Sequence, residues 1–132
     1  MVVTSGMIGL PSDSVSEVVI GASFEVAKTL GPGFLEKVYE RALGMELELR
    51  GLRVARQVSL PVYYKGQLAG EYFADLVVED QLIVELKCVE SLGAEHTAQC
   101  LNYLRASGRN VCLLFNFQRA TVQWKRVIAR FD

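Results

Sequence analysis

The sequence has almost no surplus of charge of either sign, which argues against a protein that holds nucleic acid by bulk charge. Its 132 residues carry 14 Lys and Arg against 15 Asp and Glu, a formal net charge of −1. Proteins that hold nucleic acid by bulk charge depend on many phosphate contacts, which this balance argues against. A local basic surface stays possible within the same total.

Long apolar runs and paired cysteines are also missing. No run approaches the roughly 20 residues of a membrane span, and the N-terminus lacks the basic start and apolar stretch of a signal peptide. We therefore expect a cytoplasmic protein with no membrane partner. The three cysteines show no C-x-x-C spacing, which argues against a disulfide framework or a zinc site and predicts buried thiols. They are Cys88, Cys100 and Cys112.

The length and the lack of linkers predict one domain. A chain of this size builds one hydrophobic core, so catalytic and targeting functions cannot occupy separate domains. We expect a domain over residues 12–132 after a disordered or loosely ordered segment over residues 1–11. Any targeting must then come from a partner or a second copy, which makes a homodimer plausible.

Hydrophobic periodicity predicts the order ααβββαβ(β), a mixed α/β sheet flanked by helices. Helical spacing runs from residues 12–14 to Gly31 and again over residues 34–49, where Gly51 suits a C-terminal cap. Alternation over residues 54–64, 68–78 and 82–89 predicts three antiparallel strands. A helix over residues 95–107 and an apolar run over residues 111–117 then predict a right-handed crossover with parallel strands. Residues 121–130 alternate as a final edge strand would.

Two acidic residues face each other in the predicted second hairpin. If the loop at residues 79–81 has three residues, Val78 pairs with Leu82 and Asp75 lies opposite Glu85, with Cβ atoms about 5 Å apart. A two-residue loop would leave the two residues diagonal. Period-two alternation puts Lys87 on the face of Glu85. One sheet face thus gathers two carboxylates and an amine.

The apolar strand around this cluster makes its charges unusual. Two carboxylates about 5 Å apart repel by about 3 kcal/mol at an effective dielectric of 20, so one keeps a proton or a cation lies between them. Lys87 can neutralise one of them, and Mg²⁺ could bridge both. On spacing alone, a solvated face or a plain salt bridge is the commoner explanation of a Glu-x-Lys pattern such as Glu85 to Lys87. The strand is near-continuously apolar and precedes a crossover helix, which favours a functional site.

Several separated motifs together resemble a known family. These are Gly33-Phe-Leu-Glu36-Lys-Val-Tyr39, Gly51 to Val54 with Gln57, Pro61 to Gly66, Ala-Asp75-Leu, Val-Glu85-Leu-Lys87 and Gln99-x-x-x-Tyr103-Leu. In this order they are similar to the family named after its G-x-x-E-x-x-Y signature, which is grouped with the PD-(D/E)xK nuclease superfamily. The resemblance covers nearly the whole chain. It implies a restriction-endonuclease-like core and a Mg²⁺- or Mn²⁺-dependent nuclease acting on DNA or RNA.

The resemblance also implies roles for individual residues. Asp75 and Glu85 match the metal-binding carboxylates, with the carbonyl of Leu86 as a further metal ligand. Lys87 matches the lysine that positions or activates the attacking water. Glu36 matches an acidic residue on the preceding helix that is a further or water-mediated ligand.

The remaining matches fall around the site. Gln99 and Tyr103, four residues apart on one helical face, match polar positions of the crossover helix, with Gln99 among the catalytic residues. Tyr39 and Tyr103 are expected at the rim, although tyrosines at such positions are more often packing residues.

A second interpretation of the sequence assigns the protein a function other than catalysis. A non-catalytic binding or assembly module that retains the nuclease fold, as a homodimer, would explain the missing basic surplus. Metal uptake that depends on Asp75 and Glu85 separates the two hypotheses.

Overall fold

The computed structural model describes residues 2–4 and 13–130. Six strands and three helices make up this part of the chain. In chain order they are β1 (Val2–Thr4), α1 (Asp13–Leu30), α2 (Glu36–Leu49), β2 (Val54–Tyr64), β3 (Gln67–Val78), β4 (Leu82–Lys87), α3 (Ala94–Ser107), β5 (Val111–Asn116) and β6 (Gln123–Ile128).

The strands form one mixed sheet in the order β1-β6-β5-β4-β3-β2. Strands β4 and β5 are parallel, as the predicted crossover requires, and the other neighbours are antiparallel. Helices α1 and α2 cover one face of the sheet, and α3 covers the other. Strand β5 is buried along its whole length because both layers cover it.

The second helix ends where its glycine predicts. Gly51 has a φ of 86°, a conformation that favours a residue without a Cβ. The N–H of Leu52 donates to the carbonyl of Leu47, and the N–H of Gly51 donates to that of Glu48. This pair of hydrogen bonds is a Schellman motif, which satisfies two of the final carbonyls of α2.

The β3–β4 turn sets the register that the site depends on. Glu79 and Asp80 both have positive φ values, 53° and 55°, and the N–H of Gln81 donates to the carbonyl of Val78. Two such residues in succession form a type I′ turn, whose twist suits a hairpin. Val78 pairs with Leu82 across it, which confirms the register of the three-residue loop.

The predicted order of helices and strands is confirmed, with one difference at the end of the sheet. Residues 121–130 were expected to contain an edge strand, but three residues of β1 pair with the outer side of β6. The loosely ordered segment predicted over residues 1–11 lies outside the described residues except for Val2–Thr4. Cys100 and Cys112 are buried as expected, and Cys88 is partly exposed. No helix within residues 13–130 is long and apolar enough to cross a membrane.

Candidate functional site

Strands β3 and β4 separate at a point that we call the fork, formed by Asp75, Glu85 and Leu86. Their last regular pair before it is Leu76 with Val84. Beyond that pair the N–H of Asp75 donates to Oε1 of Glu85 at 2.8 Å, and the N–H of Leu86 donates to Oδ2 of Asp75 at 2.9 Å. Each carboxylate thus takes the place of a carbonyl acceptor on the opposite strand. The two acidic groups are locked together across the end of the ladder.

The neighbouring strand β2 is irregular at the same level. Arg56 pairs with Leu76 and Val58 with Ala74, while Gln57 has a φ of 50°. A residue with a Cβ rarely adopts this left-handed conformation, which costs about 1 kcal/mol or more. The strained backbone aims the amide of Gln57 at Asp75 Oδ1, which accepts a hydrogen bond at 3.3 Å.

Glu40 on α2 is a buried acidic residue that the sequence reasoning missed. Only 2% of its surface is exposed, and it accepts hydrogen bonds from Gln57 at 3.0 Å and from Lys37 and Arg56. Burial opposes its ionisation, but the hydrogen bonds from Gln57 and Lys37 outweigh burial and lower the pKa of Glu40. Glu40 is therefore a neutralised anion that anchors Gln57 beside Asp75.

A sequence signal for Glu40 does exist. It lies three and seven residues before Leu43 and Leu47, which belong to the buried face of α2. A charged residue on an apolar helical face needs partners, because an unpaired buried charge is costly.

The fork carboxylates lack such neutralisation. Burial, followed by the charge of Asp75, raises the pKa of Glu85 to about 9, and only 2% of Glu85 is exposed. Burial also raises the pKa of Asp75, against the hydrogen bond from Leu86 and together with the charges of Glu40 and Glu36. Both shifts arise from negative charge held in a poorly solvated place.

Lys87 and Glu36 lie beside the fork on different elements. Lys87 ends β4 and is half-buried, and its charge acts favourably on Glu85. In the described part of the chain its ammonium makes no ion pair, so it is available to a ligand. Glu36 begins α2 and accepts a hydrogen bond from the N–H of Cys88 at 3.2 Å. The start of α2 is thereby held against the end of β4.

The two tyrosines predicted at the rim occupy different places. Tyr103 on α3 is mostly buried; burial, followed by the charges of Glu85 and Asp75, raises the pKa of its hydroxyl. Tyr39 is buried on α2 instead, and its hydroxyl donates to the carbonyl of Gly31 at 2.6 Å and accepts from the N–H of Phe34. Tyr39 therefore fixes the α1–α2 connection and does not line the fork.

Gln99 lies near the site because of its position on α3, and not through a hydrogen bond to the described residues of the fork. It is half-buried on α3, one turn before Tyr103. Among the residues described, no hydrogen bond joins its amide to either fork carboxylate.

The donor set at the fork suits a hard divalent cation. The buried carboxylate of Glu85 and the partly buried carboxylate of Asp75 repel each other, and the nearby Arg56 and Lys37 are already paired with Glu40. Oxygen donors of this kind bind Mg²⁺ or Mn²⁺, and Mg²⁺ usually keeps several waters beside one or two carboxylates. Within residues 2–4 and 13–130, no three His, Cys, Asp or Glu side chains form a ready-made metal cluster. The fork therefore supplies two carboxylates, and further ligands must be backbone or water.

Comparison with known protein families gives a match over most of the chain. A family model described as the PD-(D/E)XK nuclease superfamily matches residues 13–127. The match includes the whole fork and all three helices. Searches of the curated proteins and of the solved structures found no match.

Proposed function

Since the chain belongs to the PD-(D/E)XK nuclease superfamily, we propose that it hydrolyses phosphodiester bonds of DNA or RNA at the fork. The exchange of hydrogen bonds between Asp75, Glu85 and the opposing backbone carries this proposal. It holds two carboxylates side by side where burial and repulsion leave them in need of a cation. The mixed α/β fold agrees with a restriction-endonuclease-like core, and nucleases of this superfamily generally use divalent metals.

The ligands of the proposed site come from two adjoining strands. Asp75 and Glu85 would each give carboxylate oxygen to Mg²⁺ or Mn²⁺. The N–H of Leu86 faces β3, and a strand residue presents its N–H and C=O on the same edge, so the Leu86 carbonyl faces the fork as well. Glu36, on the neighbouring helix, would act through a water.

The proposed reaction combines the chemistry of the cation with that of the residues around it. A divalent cation held at the fork would supply Lewis-acid chemistry, because it would polarise a phosphoryl oxygen and make a water more acidic. Lys87 orients the attacking water or offsets charge that develops on the phosphoryl oxygens. Gln57 holds Asp75 in place through its bond to Glu40, a positioning role. Tyr103, and Gln99 one turn before it, border the substrate on the α3 side.

The G-x-x-E-x-x-Y branch is the proposed position of the chain within the superfamily. Two signature residues support it, because each occupies a defined place. Tyr39 closes the α1–α2 connection, and Glu36 binds the backbone at the end of β4. The signature thus serves to hold α2 against the fork. Homodimer formation and a cytoplasmic location stay predictions.

Cleavage of labelled single-stranded and duplex DNA and RNA with Mg²⁺ or Mn²⁺ tests the proposed activity. We expect metal-dependent cleavage that falls to background in Asp75→Asn and Glu85→Gln and by about 100-fold or more in Lys87→Met. Asp80→Asn is the matched control, since it removes a carboxylate from the same hairpin at an exposed position paired with Arg109. It should cleave as the wild type does.

The opposite result would favour the non-catalytic module. Full cleavage by folded Asp75→Asn or Glu85→Gln would refute the site. Absence of cleavage by the wild type, together with no calorimetric uptake of Mn²⁺, would leave the fold as a binding or assembly module.

A further inference from the structure

A two-stranded arm extends from the fork. Beyond Gln57 and Asp75, residues 58–74 of β2 and β3 pair only with each other, because the paired stretch of β3 with β4 covers residues 76–78. We call residues 58–74 the arm. Its base packs on α3 through Leu60 and Ala74, which are buried with residues of that helix. Farther out, most of the arm is exposed.

A groove of about 440 Å³ lies between the arm and α3. Its volume falls in the range of sites that hold small organic groups. It combines aromatic rings and apolar side chains with one guanidinium and one amide, and it contains no acidic residue. The lining residues are Pro61, Val62, Tyr63, Tyr72, Asn102, Arg105 and Ala106.

The shape of the arm explains why two tyrosines share this groove. The register of β2 against β3 shifts between Val62 and Tyr63, and a β-bulge of this kind changes the direction of a side chain. Tyr63 and Tyr72 line the groove, with exposed fractions of 64% and 39%. Their chain neighbours Tyr64 and Phe73 are similarly exposed, at 66% and 48%, and do not line it.

The groove adjoins the fork. The rings of Tyr72 and Tyr103 are 5.3 Å apart, and Tyr103 lies within electrostatic reach of Glu85 and Asp75. Tyr72 also precedes Asp75 by three residues, about 10 Å along a strand. A polymer whose phosphate lies at the fork would therefore reach the groove with an adjacent unit.

The charge of the groove selects the part of a polymer that it can bind. Arg105 lies in the last turn of α3 and has no carboxylate partner among the described residues, so it can contact a phosphate or stack on a ring. The whole chain has a net charge of −1, so phosphate contacts alone give little affinity. Stacking of bases on tyrosine supplies affinity without charge, but only for bases that are not already stacked in a duplex.

Building on the proposed nuclease function, we propose that this groove binds an unpaired base next to the scissile phosphate, so that the substrate is single-stranded nucleic acid. Tyr63 and Tyr72 provide the stacking faces, and Arg105 contacts the backbone. DNA and RNA share this chemistry.

Binding of labelled oligonucleotides of about 12 nucleotides, measured by fluorescence anisotropy in EDTA, tests the groove without requiring cleavage. The key comparison is between a normal strand and an abasic strand with the same phosphates. We expect the wild type to bind the normal strand at least 5-fold more tightly than the abasic strand, and more tightly than the duplex. The same measurements with DNA and with RNA oligonucleotides show which of the two supplies the bound base.

A matched pair of double variants isolates the groove. The double variant Tyr63→Leu with Tyr72→Leu should bind the normal and the abasic strand with about equal affinity. Tyr64→Leu with Phe73→Leu, which removes two similarly exposed rings outside the groove, should keep the preference for the normal strand. In Arg105→Gln the slope of log affinity against log salt should fall by roughly 0.7 while the preference persists. Urea unfolding confirms that each variant is folded.

Several results would overturn the groove proposal. These are equal wild-type affinity for normal and abasic strands, no binding at all, tighter binding of duplex, or equal losses in both double variants. Light scattering that shows a wild-type dimer and a monomer only for Tyr63→Leu with Tyr72→Leu, with base preference unchanged, would assign the groove to self-association instead. A wild type that keeps the base preference but never cleaves would refute the nuclease activity and the position beside a scissile phosphate, and the groove would remain a site for unpaired bases.

Discussion

Replacing Glu85 with Gln should stabilise the metal-free protein at neutral pH. The pKa of Glu85 is raised to about 9, against an ordinary value of 4.5, so the folded state holds a proton that the unfolded state releases. The stabilising effect of that proton is complete below pH 4.5 and is lost as the pH rises towards 9. At pH 7.5 the difference of three pH units corresponds to about 4 kcal/mol. A Gln side chain keeps the oxygen that accepts from the N–H of Asp75 and has no proton to lose.

Urea unfolding in EDTA between pH 5 and 9 measures this effect. We expect the wild type to lose several kcal/mol over this range, and Glu85→Gln to match it at pH 5 and exceed it at pH 7.5 by about 4 kcal/mol. Asp80→Asn, which removes an exposed carboxylate from the same hairpin, should follow the wild-type curve. A wild-type free energy of unfolding that stays constant or rises from pH 5 to 7.5, with no gain in Glu85→Gln, would refute the reasoning about the buried carboxyl.

Three further predictions concern the fork and its supports. Binding of Mn²⁺ at pH 7.5 should release protons, seen as a buffer-dependent heat in calorimetry, because a protonated Glu85 must ionise; Glu85→Gln should release fewer. Gln57→Gly should be about 1 kcal/mol more stable than Gln57→Ala in urea, since glycine accepts a φ of 50°, yet both should bind Mn²⁺ about 10- to 100-fold more weakly. Tyr39→Phe should lower the free energy of unfolding by about 1 to 2 kcal/mol, because the carbonyl of Gly31 loses its donor; an unchanged value would contradict the bond.

The sequence predicted those features of the site that follow from short-range rules. A polar three-residue turn between two apolar strands sets the pairing of Val78 with Leu82, and counting back along the ladder brings Asp75 to Glu85. The parallel arrangement of β4 and β5 follows from the handedness of crossovers. In both cases a local pattern has only one or two geometric solutions.

Contacts between residues on different elements could not be predicted by counting along a strand. Glu40 and Gln57 lie 17 residues apart in the sequence, and their contact requires a left-handed backbone at Gln57, a conformation that a residue with a Cβ ordinarily avoids. Alternation predicts facing side chains but not a carboxylate that accepts from the opposite backbone, as Asp75 does from Leu86. The burial of Tyr39 depends on stacking with Phe117, which no local pattern relates to α2.

The fork as a cation site is the central claim, and anomalous diffraction from crystals grown with Mn²⁺ tests it most directly. A single anomalous peak about 2 Å from carboxylate oxygens of both Asp75 and Glu85, with the Leu86 carbonyl among its neighbours, is the predicted result. A peak bound elsewhere, or no peak at the two carboxylates under saturating Mn²⁺, would contradict it.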